Sequence, residues 1–335
     1  MQAQALEAIP LPALIIAEDD GMLLANSAFK SLFPMIEFGR TYLSLLRHPA
    51  LDKLVSDTRA GQKGGSAELH VRIGIEQVFR ATCALLPDRS LLLCLQDTSE
   101  TAAAVQTRRD FIADLSHELR TPLTSIRGIL DTTDGDPEGL AQFTPILGQE
   151  VDRMTRLVTD LIALNRVQSN VRRRPTGPVC LQDVVDAATA PLQAMAQQLG
   201  ARITTDMPTQ DIIVPGDRDE LIQAVTNLSE NALRYGHARP PAESIVTITL
   251  ERSGAQAVLS VRDNGQGVAL HHMPRLTERF YRVDHHRSRE VGGSGLGLAI
   301  VKHVANHHRA QLGFYPAEGG GLEVRLTLPD AAQST

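Results

Sequence analysis

Apolar positions change their period along the chain, and the changes divide it into three regions. Through residue 100, short apolar runs alternate with turn residues. Ala13–Ala17 and Met22–Ala25 flank Asp19-Asp20-Gly21, a hairpin signal, and Leu69–Ile75, Phe79–Leu86 and Leu91–Leu95 follow. This pattern predicts strands around short helices, an α+β domain over residues 1–100. The period then becomes helical. Ile112, Leu115, Leu119, Leu123, Ile126 and Leu130 recur at three- and four-residue steps and mark one face of a long helix. The breaker cluster Asp131–Gly139 interrupts it, and a second stripe resumes with Phe143, Leu147, Val151, Met154, Val158, Leu161 and Leu164. Residues 101–171 are expected to form an antiparallel helical hairpin. Alone, such a hairpin leaves a broad apolar stripe in water, which predicts a homodimer closing a four-helix bundle. Arg172–Pro178 reads as a linker. Beyond it, helical patterns at Leu181–Leu199 and Arg218–Tyr235 alternate with strand patterns at Ile245–Glu251, Ala257–Arg262 and Leu322–Leu328. Residues 178–331 are therefore expected to form a mixed α/β layer domain, and the whole chain a multidomain α+β protein.

Composition narrows the function classes. A net charge of -6 without any long Lys/Arg run argues against a nucleic-acid binder. Cys83, Cys94 and Cys180 are too widely spaced for a disulfide framework or a C-x-x-C metal site, which fits a reducing cytoplasm. No apolar run approaches the ~20 residues of a membrane span, and the start lacks the features of a signal peptide. The chain is expected to be cytoplasmic, either wholly soluble or the cytoplasmic part of a sensor anchored upstream.

The first long helix carries Phe111-Ile112-Ala113-Asp114-Leu115-Ser116-His117-Glu118-Leu119-Arg120-Thr121-Pro122-Leu123. With Ile112, Leu115, Leu119 and Leu123 on the apolar stripe, His117 and Glu118 are expected to project away from it. A lone histidine at such a place is ordinarily just solvated. Here, however, Glu118 can accept a hydrogen bond from the ring Nδ1–H, leaving Nε2 the more basic nitrogen, as phosphoryl attack requires. Pro122 removes a backbone hydrogen bond in mid-helix, where a kink is expected. The run Ser-His-Glu-Leu-Arg-Thr-Pro-Leu-Thr resembles the H box of sensor histidine kinases. The resemblance implies that His117 is the phosphoacceptor, that Glu118 is its general base, and that Thr121 belongs to a phosphatase element.

Four segments of the last region carry ligand chemistry. Asn227, Asn231, Arg234 and Tyr235 recur at helical spacing after Asp219-Glu220; two amide oxygens and a nearby carboxylate suit a magnesium-triphosphate, and Arg234 can neutralise phosphate charge. Asp263-Asn264-Gly265-Gln266-Gly267 follows a strand; its glycines admit close approach, and Asp263 can accept from an exocyclic amine such as adenine N6. Glu278-Arg279-Phe280-Tyr281-Arg282 groups aromatics with arginines, with Arg282 in reach of a γ-phosphate. Gly292-Gly293-Ser294-Gly295-Leu296-Gly297 runs into a helix, whose N-terminus seats phosphate. No strand precedes this loop and no Gly-Lys-Ser/Thr follows, which excludes Rossmann and Walker A readings.

Order and spacing of the four segments resemble the N, D, F and G boxes of the ATP-binding domain shared by histidine kinases, DNA gyrase, the Hsp90 chaperone and MutL. The resemblance implies an α/β-sandwich of Bergerat type with ATP and Mg2+ as cofactors. It assigns Asn227 and Asn231 to the metal-phosphate region, with Asn231 a Mg2+ ligand, Asp263 to adenine and Arg282 to the γ-phosphate. It also places Arg234, Tyr235, Gly265, Gly267, Gly293, Gly295, Leu296 and Gly297 around the nucleotide, under a lid of residues 268–293. Arg234 stands where lysine is common in the family. The implied partner is a response regulator receiver domain. Two rivals remain: an ATP-driven conformational machine, and a scaffold that only dimerises.

The segments Ile9–Asn26 and Asp97-Thr98-Ser99-Glu100 resemble the opening and exit of a PAS domain, with a ligandless dimerisation module as the alternative. Arg287–Gly293 is similar to kinases of the phosphate-regulon sensor type. The pairs His271-His272, His285-His286 and His307-His308 are expected to be solvated surface histidines, since no spacing completes a zinc site.

Overall fold

In the N-terminal unit, alternation along the strands sends one face of a sheet into a core. The computed structural model describes residues 2–61, 65–133, 136–169, 174–236, 243–283 and 293–329, and contacts divide the chain into two units, Met1–Ala113 and Asp114–Thr335. The first unit holds β1 (Ala13–Ile16), β2 (Met22–Ala25), β3 (Ser66–Ile73), β4 (Ile75–Leu85) and β5 (Leu91–Asp97), an antiparallel sheet in the order β2-β1-β5-β4-β3. Helix α1 (Gln2–Glu7) precedes it, and α2 (Ser27–Leu32) and α3 (Pro49–Arg59) lie between β2 and β3.

Leu14, Ile16, Phe29, Tyr42, Leu51, Phe79, Leu91, Leu93 and Leu95 form the main core, each burial stabilising the fold by about 1.5–3 kcal/mol. Ala13 and Ile15 point to the opposite face, where Leu6 of α1 covers them. The Asp19-Asp20-Gly21 turn is made with Asp20 at φ 69, and Asp19 Oδ1 accepts from Gly21 N at 3.1 Å. Asn26 is the polar hub. Its Oδ1 caps α2 through Phe29 N at 2.9 Å and also accepts from Ala13 N, while Nδ2 donates to Ile9 O and Leu11 O. The expected strand Leu69–Ile75 is divided. Gly74, at φ 72, reverses the chain there and hands Ile75 to β4.

A single helix, α4 (Ser99–Thr132), leaves β5, and α5 (Pro137–Ser169) follows. Pro122 and Pro145 both lie inside these helices. Leu157 and Leu164 are buried, whereas Leu123, Leu130, Val151, Val158 and Ile162 are exposed. Leu157, which lies outside the expected stripe, is buried within this chain, while Val158 of the stripe is exposed.

The remaining part of the second unit is layered. Strands β6 (Pro178–Cys180) and β8 (Ile213–Pro215) pair, and β7 (Ala201–Asp206), β9 (Ser244–Ser253), β10 (Gln256–Asp263), β11 (Gln311–Pro316) and β12 (Leu322–Pro329) form a sheet in the order β11-β12-β10-β9-β7. Helices α6 (Leu181–Thr189), α8 (Arg218–Tyr235) and α9 (Gly297–His307) pack side by side against it. The expected helix Leu181–Leu199 breaks at Pro191, where a 3-10 turn separates α6 from α7 (Gln193–Gln198). Pro178, read as linker, opens β6 instead; residues 170–173 lie outside the described residues. Leu221, Val225 and Leu228 of α8 are buried, as are Val246 and Ile248 of β9, Leu259 and Val261 of β10 and Leu326 of β12, and α8 packs on β9 and β10. Asp217 starts α8 by accepting from Asp219 N at 3.0 Å and Glu220 N at 3.1 Å, satisfying amides that have no partner within the helix.

Candidate active site

Burial of the apolar stripe of α8 leaves Asn227, Asn231, Arg234 and Tyr235 off the core face. The first residue of α9 abuts both amides: a Cβ on Gly297 would lie 3.4 Å from Asn227 Oδ1 and 3.6 Å from Asn231 Nδ2. A Cβ on Gly293 would collide with the Tyr235 hydroxyl and lie 3.5 Å from Arg282 Nη2. Helix α8 thus brings Asn227 and Asn231 to the start of α9, where backbone N–H groups lack helical partners, and Tyr235, one turn on, to Gly293 beside Arg282. Asn227 Nδ2 is buried without a hydrogen-bond partner. An orphaned donor costs about 1–3 kcal/mol, and an oxygen-rich ligand would relieve it. Two neighbouring amides beside a helix N-terminus fit a hydrated metal-phosphate group.

The glycine loop is tied to the Phe280 segment. Phe280 N donates to Gly295 O at 2.9 Å, with Phe280 at φ 60 and Gly295 at φ 74. A Cβ on Gly295 would meet the Phe280 backbone at 2.8 Å, so glycine is required on both counts. Leu296 anchors the loop from beneath: its side chain is fully buried, and its N–H donates to Ser294 Oγ at 3.1 Å. Tyr281 hydrogen-bonds His272 Nδ1 at 2.6 Å and lies under the Arg275 guanidinium, 4.2 Å from ring centroid to cation. Of the expected lid, residues 284–292 lie outside the described residues.

At the end of β10, Asp263 Oδ1 accepts from Gly265 N at 2.9 Å and from Leu322 N at 3.3 Å. Burial pushes its carboxyl above the usual range, and those two donors pull it back. Gly236, directly after Tyr235, packs on Asp263, and a Cβ on Gly265 would meet Gly236 at 2.7 Å. The aspartate segment therefore adjoins the end of α8. Gly267, at φ 71, passes close to Gly321 O. Arg234 Nη2 lies 3.8 Å from Glu230 Oε2 on its own helix.

His117 is exposed on α4, and Thr121 Oγ1, one turn on, donates to His117 O at 3.2 Å. Glu118 turns away from it toward α5. Arg153 Nη2, on a side chain 8% exposed, donates to Glu118 Oε2 at 2.8 Å. Among the described residues no hydrogen bond reaches the His117 ring, so the expected Glu118–Nδ1 bond is not made here. Successive helical positions diverge by about 100°, and the buried arginine claims the carboxylate.

The model of the His Kinase A (phospho-acceptor) domain matches residues 107–170, and that of the histidine kinase-, DNA gyrase B- and HSP90-like ATPase matches residues 216–332. The phosphate regulon sensor protein PhoR of Pseudomonas aeruginosa is 35% identical over 324 residues, covering 92% of this chain and 70% of that protein. This chain belongs to the sensor histidine kinases. The sensor-like histidine kinase SenX3 of Mycolicibacterium smegmatis is 35% identical over 258 residues, 75% of this chain and 66% of its own length. The kinase therefore spans about two thirds of these relatives. Its fold matches that of histidine kinase ThkA, solved in complex with response regulator protein TrrA, at a TM-score of 0.54 and 17% identity over 99% of both chains. Acinetobacter baumannii histidine kinase AdeS matches at a TM-score of 0.50 and 23% identity, over 64% of this chain and 98% of that one.

Two features of the kinase escape sequence reasoning. One is Asp160 of α5, whose Oδ2 accepts from Ser294 Oγ of the glycine loop at 2.5 Å. No local pattern marks it, because its partner is remote in sequence. The other is the pair His307-His308, expected on the surface and found buried with Glu220. His308 Nδ1 donates to Val304 O at 2.9 Å and Nε2 accepts from Asp217 N at 2.9 Å, which fixes the tautomer. His307 Nδ1 lies 2.7 Å from Glu220 Oε2. Donor atoms of Glu220, His307 and His308 lie within 4.8 Å of one another, as in a metal cluster. Backbone groups already use both His308 nitrogens, however, so the trio clasps the start of α8 to the end of α9. Packing of α8 on α9 buried these residues, and the doublet in sequence carries no sign of it. His285 and His286 lie outside the described residues.

Proposed function

We propose that this kinase binds ATP with Mg2+, phosphorylates its own His117 and passes the phosphoryl group to an aspartate of a response regulator receiver domain. The observation that carries the reading is that Asn227 and Asn231 meet Gly297 at the N-terminus of α9 while Tyr235, further along α8, and Arg282 meet Gly293, in a chain that also exposes His117. Asn231 would hold Mg2+ and Asn227 the adjoining phosphate. Asp263 would accept from the adenine amine, beside Gly265 and Gly267. Arg282 would meet the γ-phosphate, Arg234 and Tyr235 the remaining charge, and the backbone of Gly293, Gly295, Leu296 and Gly297 the phosphate oxygens. When bound, Mg2+ would screen the phosphate oxygens during transfer.

In the reaction His117 Nε2 forms a bond to the terminal phosphorus while the bond from that phosphorus to its bridging oxygen breaks, and ADP departs. The ring then carries a positive charge, which Glu118 would stabilise at Nδ1–H. Glu118 must exchange Arg153 for the ring to do so. Thr121, one turn above His117, would orient a water for dephosphorylation of the regulator.

Residues 1–100 are read as a PAS-like sensor domain, which the sheet order β2-β1-β5-β4-β3 and the Asp97–Ser99 cap on α4 support. Residues 101–171 are half of a homodimeric four-helix bundle, which exposed Leu123, Val151, Val158 and Ile162 support. Residues 178–331 form the catalytic domain. Among the described residues no helix is long and apolar enough to cross a membrane. The relation to PhoR supports signalling of the phosphate-regulon type.

Incubation with labelled ATP tests the central assignment. Wild type is expected to acquire an acid-labile label and His117→Gln none; equal labelling of the two would overturn it.

A further inference from the structure

Asp160 belongs to none of the nucleotide segments, yet its carboxylate reaches the glycine loop. Ser294 Oγ donates to Asp160 Oδ2 at 2.5 Å and at the same time accepts from Leu296 N at 3.1 Å. One hydroxyl therefore couples an anion on α5 to the backbone entering α9, and α5 packs against α9 around it. The charges acting on Asp160 are Arg156 on its own helix and Glu230 and Arg234 on α8. Arg234 is one of the cations assigned to the triphosphate. A carboxylate held by the loop hydroxyl within the field of Arg234 takes up an anion's place beside the phosphate seat.

Position along the hairpin sharpens the point. Asp160 lies two helical turns, about 10 Å, further along α5 than Arg153, which pairs with Glu118 beside His117. Phosphoryl transfer requires the reacting atoms within about 3.5 Å. A loop tethered at Asp160 is thus parked along α5 rather than at the level of the histidine.

We propose that Asp160 is an autoinhibitory latch, holding the glycine loop through Ser294 until a bound triphosphate displaces it and frees the ATP-binding domain to reach His117. The inference rests on the ATP-dependent reading above. Two anions cannot share Ser294 and the field of Arg234 without mutual repulsion. Burial, which pushes the Asp160 carboxyl upward, makes its charged form costly to keep there. Coupling of this kind is reciprocal: whatever affinity the latch costs the nucleotide, the nucleotide takes from the latch.

The test uses the full chain and a non-hydrolysable ATP analogue with Mg2+. Asp160→Ala is expected to bind the analogue about fivefold or more tightly than wild type. A double variant, Asp160→Cys with Ser294→Cys, is expected to form a disulfide in a glutathione redox buffer without nucleotide and to form less of it when saturating analogue is added before the buffer, with each single variant as control. Unchanged or weaker binding by Asp160→Ala overturns the latch. So does a disulfide that never forms or that ignores the analogue. Should wild type itself bind no analogue, the nucleotide reading falls and takes the latch with it.

Discussion

Arg153 of α5 and Glu118 of α4 are joined across the helical hairpin at 2.8 Å, the arginine side chain only 8% exposed and the glutamate 28%. The carboxylate beside the proposed acceptor is therefore already committed. Replacing Arg153 with Met should destabilise the chain by about 1–2 kcal/mol, since Glu118 keeps some water to screen its charge. Denaturant midpoints of the full chain would measure this. Glu118→Gln should remain folded but slow autophosphorylation by about 10²–10⁴, and a variant labelled at the wild-type rate would remove Glu118 from the chemistry.

Gly295 sits at φ 74, and a Cβ there would lie 2.8 Å from the Phe280 backbone. Gly295→Ala should cost the loop about 1–2 kcal/mol, or roughly tenfold in nucleotide affinity. Circular dichroism should be unchanged, because the site lies outside the core. Calorimetric titration with ADP reads the effect.

Asp263→Asn keeps an oxygen to accept from Gly265 N and Leu322 N, so the fold should survive. What it loses is a charged acceptor for the adenine amine. Affinity for ATP is expected to fall about tenfold or more, while a nucleotide lacking that amine should bind both proteins equally. Equal loss for the two nucleotides would mean that Asp263 serves the loop alone.

Burial holds the His308 ring below its ordinary value of 6.5. A base depressed by folding binds fewer protons folded than unfolded, so its stabilisation is present above 6.5 and is lost as pH falls from there toward the folded value. His308→Gln retains an acceptor for Asp217 N without titrating. Wild type should melt higher than this variant at pH 7.5, and the gap should narrow by pH 5.5. A constant gap would show that the folded and unfolded chains take up protons at His308 alike.

Val151 and Val158 are 53% and 46% exposed on α5. If they line a bundle between two copies, Val151→Glu with Val158→Glu should convert a dimer to a monomer. Sedimentation of the two proteins at equal concentration decides this.

Much of the fold was legible because periodicity is a local signal. The strands β1, β2, β4 and β5, the two long helices and all of α8 announce themselves through alternation or a 3.6-residue stripe, and the Asp131–Gly139 breakers mark the turn between α4 and α5. Strands β6 and β8 did not, since three residues each are too few to show a period. Gly74 and Pro191 moved element boundaries because single backbone restrictions outweigh the apolar pattern around them. The four nucleotide segments could be found one at a time, since each carries its own residue types at short spacing.

The residues alone determined which atoms are present for phosphoryl chemistry: an imidazole on a helix, paired amides, an aspartate after a strand, and glycines before a helix. Tertiary packing decided what those atoms touch. It turned Glu118 from His117 to Arg153, buried His307 and His308 against Glu220, and set Asp160 against Ser294 from 134 residues away. Charge and hydrogen bonding act through space at a few ångströms, and spacing along the chain measures that distance only within one helix or strand.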